Sequence, residues 1–413
     1  MNGSISKEPD VAREIDSSYA WFRLGVSVLL SSLGQVGTWS VVVALPAVQA
    51  EFGVDRGAAS LPFTLTMIGF GAGGVVMGRV TDRFGVVVPV LIGSFAIGAG
   101  YTLASIAGSL WQFAAIYGVF MGLLGTASCF VPLMADISRW FERRRGIAVA
   151  LCASGNYVAG AFWPPVVELL IRTSGWRAAH FWIGVVCVVL MVPLALLLRA
   201  PAPVRNTRTA PRAIPIRAVN LAPGTLQWLL AFAGLACCVA MSMPQVHIVA
   251  YCGDLGYGVA NGARMLSLML GFGIVSRVAS GFVADRLGGM ATLAIGSAAQ
   301  MTALTLYLTS DGLVSLYVVS ALFGLFQGGL VPSYAIIIRE NFPAREAGAR
   351  VGLVIGTTLA GMALGGWMSG AIYDATGSYR AAFANGVAWN ALNLAIALFL
   401  LSRGRGRSLL RTA

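Results

Sequence analysis

Residues 271–289 read GFGIVSRVASGFVADRLGG, and that stretch poses two questions whose answers organise the rest of the chain. Its second part, GFVADRLG at 281–288, matches GRVTDRFG at 78–85 in five of eight positions, 203 positions further along. A second match at the same offset joins WRAAH (176–180) to YRAAF (379–383). Two matches at one offset, about a hundred residues apart, indicate a unit written twice in parallel orientation. The VP pairs at 131–132 and 331–332 are a weaker echo. The first part of the stretch places an arginine, Arg277, inside an otherwise lipid-compatible run.

The repeated unit is apolar. Of 413 residues 57% are hydrophobic and 11% charged, and the mean hydropathy is +0.79. Ordinary soluble domains carry about 25% charged residues. A bilayer core about 30 Å thick takes about 20 apolar residues per helix. Twelve stretches qualify, near 21–48, 59–80, 86–107, 110–138, 146–171, 178–198, 225–251, 263–284, 289–309, 312–338, 350–373 and 381–402. The expectation is an all-α membrane protein of twelve transmembrane helices in two pseudo-symmetric six-helix bundles. The layout is then a polar tail (1–20), a first bundle (21–199), a Pro-rich basic linker (200–223), a second bundle (224–402) and a basic tail (403–413).

A net charge of +12 suggests nucleic acid in a soluble protein, but in a membrane protein the question is which side holds the basic residues. With the N-terminus in the cytoplasm, 22 of the 28 fall in inside loops and tails, five outside, and Arg277 within a span. Both termini are therefore expected inside, and nucleic-acid binding is rejected. The first twenty residues lack the apolar run and cleavage site of a secretory signal. The six cysteines lie in or at the ends of spans without CxxC spacing or a histidine cluster, so no metal site, cofactor or disulfide framework is expected.

Duplicated six-helix halves, a basic linker and G-x-x-x-D-R-x-G after the second helix of each half resemble the major facilitator superfamily over nearly the whole chain. In that family the loop, here Gly78, Asp82, Arg83 and Gly281, Asp285, Arg286, latches the cytoplasmic side shut and breaks as the halves rock. Read without the family, glycine permits close helix approach, and the aspartate and arginine suit helix ends. The bland alternative is a tight loop that only defines topology.

Arg277 lies eight residues before Asp285, hence about 12 Å inside the membrane and close to its midplane. An arginine near the centre costs at least about 2.5 kcal/mol, and no acidic residue lies in the central part of any span to pair with it. A charge without a built-in counter-ion points to a cargo that supplies one; snorkelling toward the surface is the alternative. A single buried cation suits a monoanion, and the guanidinium fork can bond both carboxylate oxygens.

Helix-8 MLGFGIVSRVASGFVADRLG, helix-4 IYGVFMGLLG (116–125), helix-10 FGLFQGGLVPSYAIIIRENF (323–342) and GWMSGAIYDATGSYRAAF (366–383) together resemble the monocarboxylate porter and oxalate:formate antiporter branch. The resemblance implies that Arg277 holds the substrate carboxylate and that Tyr117 donates a hydrogen bond to it, with Tyr334 as a second donor. The sequence also departs from the branch. Gly273 stands where many animal members have an aspartate, residues 25–48 carry no lysine, and 351–373 carry no second cation. Oxalate exchange and the animal proton-coupling pair are thereby disfavoured.

His247, about a turn and a half from Asp254, is the candidate proton carrier, since imidazole titrates near neutral pH; its bland role is a hydrogen bond to backbone or a neighbouring helix. Asn156, Tyr157 and Trp163 face a cavity or serve as interhelical glue. GFGAGG (69–74) lacks the strand and lysine of a phosphate loop. The function expected is secondary transport of a small organic anion, a monocarboxylate first, with protons as the possible coupling partner and the lipid bilayer as surroundings. The alternatives are a proton-coupled drug or metabolite exporter, a membrane-embedded enzyme, and a non-transporting sensor. The location expected is a bacterial cytoplasmic (inner) membrane.

Overall fold

The computed structural model describes residues 15–200, 219 and 221–405, so the tail before residue 15, most of the linker and the tail beyond 405 lie outside the described residues. Every regular element among the described residues is helical. Eleven segments are long and apolar enough to cross a membrane: α1 (Ser18–Phe52), α2 (Arg56–Phe84), α3 (Val87–Ser105), α4 (Leu110–Trp140), α5 (Arg145–Leu196), α6 (Pro223–Asp254), α7 (Val259–Leu287), α8 (Gly289–Thr309), α9 (Leu313–Asn341), α10 (Arg345–Thr376) and α11 (Tyr379–Gly404).

The difference between these eleven and the expected twelve lies in α5. Its 52 residues would form a rod about 78 Å long, more than twice the bilayer core. Gly175, at φ 78° and ψ 158°, breaks it. Just past the break, Trp176 and Arg177 donate to Glu51 at the end of α1, while the Leu198 carbonyl accepts from Arg23 near the start of α1. The arms 145–174 and 176–196 therefore run antiparallel, and the sequence reading counts each arm as a span.

The contacts of α1 also define two faces. The described chain begins and ends on one, here the terminal face, where Arg23 is buried and bonds Asp136 of α4 through two N–H groups at 2.7 and 3.0 Å. Glu51 lies on the opposite, far face. There the repeated arginine of WRAAH and YRAAF has a structural role in both halves. Arg177 bonds Glu51 and the carbonyls of Ser105 and Ala107, closing the α3–α4 loop. Arg380 bonds Asp311 at 2.5 Å, closing the α8–α9 loop.

Within each half, glycines let backbones touch. A Cβ on Gly69 would lie 2.2 Å from the Gly118 carbonyl oxygen, and one on Gly324 would lie 2.0 Å from that of Met269. The α4 backbone is π-helical over Tyr117–Thr126, where α2 packs against it.

The corner at Gly175 needs a conformation open to glycine, with free space around it. Gly175→Ala is expected to lower stability by about 1–3 kcal/mol. Gly25→Ala, equally unobstructed but inside helix, is expected to gain up to about 1 kcal/mol. Thermal unfolding in detergent distinguishes the two.

Candidate functional site

Helix α7 carries Arg277 ten residues from its terminal-face end and eighteen from its far end. At 1.5 Å per residue the arginine sits about 15 Å from the former, roughly one turn on the terminal side of the helix midpoint rather than at it. Its side chain is half-buried and reaches across to the other half of the molecule. One terminal nitrogen donates to the Ala153 carbonyl of α5 at 3.1 Å, and Nε makes a long 3.5 Å contact with the Gly328 carbonyl of α9. The guanidinium carbon lies 4.6 Å from the centre of the Tyr157 ring, a cation–π contact. Gly273, one turn earlier, makes room for that ring, because a Cβ there would come within 2.4 Å of it. Among the described residues no carboxylate is within ion-pair distance of Arg277.

Tyr117 and Tyr334 are not brought to Arg277. Tyr117 lies seven residues from the far end of α4, and its hydroxyl bonds His180 Nε2 at 2.7 Å and Ser40 at 3.2 Å. Tyr334 is buried on the terminal side of α9 and donates to Asn393 Oδ1 at 2.8 Å, while Asn393 donates on to Ser297. Each tyrosine is held by its own half, so in this conformation the expected bridge from Tyr117 to a carboxylate on Arg277 is not formed. Tyr157 is the aromatic residue that Arg277 meets, and its partnership has no local signature: the two positions are 120 residues apart.

His247 is buried on the far side of α6. Nε2 donates to the Gly366 carbonyl of α10 at 2.8 Å, which leaves Nδ1 without a partner among the described residues. Its ring sits 5.8 Å from that of Tyr379. The chain's second histidine, His180, has both nitrogens engaged, Nδ1 with the Trp176 carbonyl and Nε2 with Tyr117.

Next to His247, the two halves are fastened at the far face. The Asp374 carboxylate of α10 accepts from the backbone N–H groups of Arg56 and Gly57 at 2.8 and 2.7 Å, capping the start of α2. The Arg56 side chain enters the other half, donating to both oxygens of Asp254 at 3.1 and 3.3 Å and to the Tyr379 hydroxyl at 2.5 Å. Arg56 is only 7% exposed while Asp254 and Asp374 are exposed, so this is a charge-assisted junction of a buried guanidinium with carboxylates at the far surface. Sequence reading missed it, because the partners lie 198 to 323 positions apart.

At the terminal face the halves part. Asp82 is exposed and its nearest cation is Arg139 of its own half, at 3.9 Å. Asp285 and Arg286 are exposed, Gly78 and Gly281 have open space beside them, and no hydrogen bond or ion pair joins the two loops among the described residues. The molecule is therefore fastened at the far face and open at the terminal face, and Arg277 lies toward the open side.

A sequence profile of the Major Facilitator Superfamily matches residues 27–315 and 290–411. Bovine monocarboxylate transporter 13 is 28% identical over 319 residues, 75% of this chain and 72% of that protein. Human monocarboxylate transporter 11 is 26% identical over 400 residues, 91% and 81%. The MFS-type transporter pynF of Aspergillus niger is 27% identical over 310 residues, 73% and 69%. Among solved structures, a bacterial homologue of the human lysosomal transporter Spinster, inward-facing and unoccupied, superposes with a TM-score of 0.70 at 14% identity, covering 94% of this chain and 96% of that one. A POT family transporter in complex with 5-aminolevulinic acid gives 0.72 at 11%, covering 92% and 95%. With the profile spanning nearly every described residue and the fold shared end to end, the chain belongs to the Major Facilitator Superfamily of membrane transporters.

Proposed function

We propose that the protein moves a small organic anion, a monocarboxylate in the first instance, by alternating access, with the carboxylate held by Arg277. One observation carries this reading: a guanidinium inside the bundle that meets two carbonyls and an aromatic ring but no carboxylate. Carbonyls satisfy N–H groups without cancelling charge, so an arriving monoanion gains both hydrogen bonds and charge balance. The similarity to monocarboxylate transporters 11 and 13 supports the same cargo class. The excess of arginine on the terminal side supports placing that face in the cytoplasm, which makes the present conformation inward-facing. Tyr117 and Tyr334 have committed hydroxyls here, so the assignment of the anion site rests on Arg277, steadied by Tyr157.

Arg277→Gln is expected to abolish saturable monocarboxylate binding. Arg277→Lys keeps the charge without the fork and is expected to bind weakly. The measurement is uptake and binding of a labelled monocarboxylate panel in proteoliposomes, after folded protein is confirmed. Wild-type uptake by Arg277→Gln refutes the anchor.

The far-face junction and the Gly78–Arg83 and Gly281–Arg286 loops serve as opposing gates. Asp374→Asn removes charge from the junction that closes the far face in the present state, so it is expected to shift the population toward far-face opening. Asp82→Asn costs this state little, since Asp82 is exposed here, and is expected to favour terminal-face opening and slow turnover while affinity stays within a few-fold. Cysteine accessibility on the two faces reads the opposite shifts; changes of the same sign rule out the gate assignment.

Proton coupling is assigned to His247, whose Nδ1 can take a proton, whereas arginine does not release one at ordinary pH. His247→Gln is expected to flatten the pH dependence of uptake. An unaltered profile removes the histidine from the mechanism.

A further inference from the structure

The outer surface of α7 has a groove that plays no part in the anion site. Arg264, Ser267, Gly271, Phe272 and Val275 form one wall and floor, and Pro165 of α5 stands opposite, around a cavity of about 420 Å³ that opens outward. Thirteen residues separate Arg264 from Arg277, so at 100° per residue the two side chains project about 140° apart. Arg277 turns inward to Tyr157, while Arg264 is exposed, with Phe272 and Val275 below it 38% and 55% exposed. The groove therefore faces lipid, at the seam where the two halves of the molecule meet.

Its shape and charge are both specific. Arg264 lies five residues from the far end of α7, about 7.5 Å in, at the depth where an arginine reaches phosphates. It has no hydrogen bond, ion pair or ring contact among the described residues. Below it the trough runs about 16 Å along the helix from Arg264 to Val275. Gly271 keeps the trough deep, since a Cβ there would meet only the Ala161 side chain, at 3.9 Å. Ser267 turns its hydroxyl into the Ala161 carbonyl, so it presents carbon rather than a free polar group.

We propose that this groove is a binding site for a glycerophospholipid of the far leaflet, with its phosphodiester on the Arg264 guanidinium and one acyl chain in the trough. The charge complementarity is direct: an unpaired cationic fork at headgroup depth, matched to a phosphate, stands above an apolar channel that runs toward the membrane interior. One wall belongs to each half, so a seated chain lies between the two bodies that move. The inference rests on the fold and on Arg264, and holds whatever the cargo is.

The test uses the full chain in maltoside detergent, depleted of lipid and titrated with phosphatidylglycerol, phosphatidylcholine or diacylglycerol of identical chains, with bound lipid counted by native mass spectrometry. One phospholipid of either headgroup is expected to be retained, and diacylglycerol is expected to be lost. Arg264→Gln is expected to weaken retention about fivefold, as for one cation at a lipid surface. Gly271→Leu fills the trough with Arg264 intact and is expected to expel the phospholipid. Arg264 makes no hydrogen bond or ion pair among the described residues, so unchanged thermal unfolding of its variant is the folding control. Equal retention of diacylglycerol, or full retention by Arg264→Gln, overturns the headgroup assignment. Full retention by Gly271→Leu overturns the seat and returns the lipid to the general annulus.

Discussion

The arrangement of the molecule depends on one carboxylate, that of Asp374. It receives the first two free N–H groups of α2, which any helix start must satisfy somewhere, and it does so from the opposite half. The Arg56 side chain then reaches past it to Asp254 and Tyr379, so backbone and side chain of one residue are both answered across the seam. Such a junction holds only while the two halves are in register, because its bonds are directional and each runs from one half to the other. Everything below it follows: the far face is shut, the terminal face is spread, and the guanidinium of Arg277 lies toward the open side.

Much of the fold was legible in the sequence because the membrane imposes long apolar runs and because the unit was written twice. The repeated arginine of WRAAH and YRAAF was found by offset alone, and the structure supplies its purpose, a clasp on the far-face loop of each half. The sequence reading places a break between spans near 146–171 and 178–198, and the structure has one continuous segment there, Arg145–Leu196, bent at Gly175. The isolation of Arg277 from carboxylates was also visible, since it needed only a census of acidic residues.

What sequence could not supply was which side chains meet. Tyr117 and Tyr334 sit on helices that the resemblance to the porter branch singles out, yet their hydroxyls are taken by His180 and Asn393. A buried hydroxyl without a partner is costly, so both tyrosines found one within their own half. Tyr157 meets Arg277 because Gly273 leaves a gap for its ring, a relation between helices of different halves that no local pattern encodes. Arg56, Asp254 and Asp374 read as ordinary loop charges until the two halves are assembled.

An arginine faced by carbonyls has a consequence for energy supply. Under the proposed function the empty site carries one uncompensated positive charge, and the site loaded with a monoanion carries none. The membrane potential then acts on the empty carrier and leaves the loaded one nearly untouched. One elementary charge across the full field is worth about 2.3 kcal/mol per 100 mV, and the empty carrier feels the fraction through which Arg277 is re-exposed from one side to the other. With an inside-negative potential that bias favours the empty carrier facing inward, so voltage acts on the cargo through the return of the empty carrier and, for an anion moved alone, favours efflux.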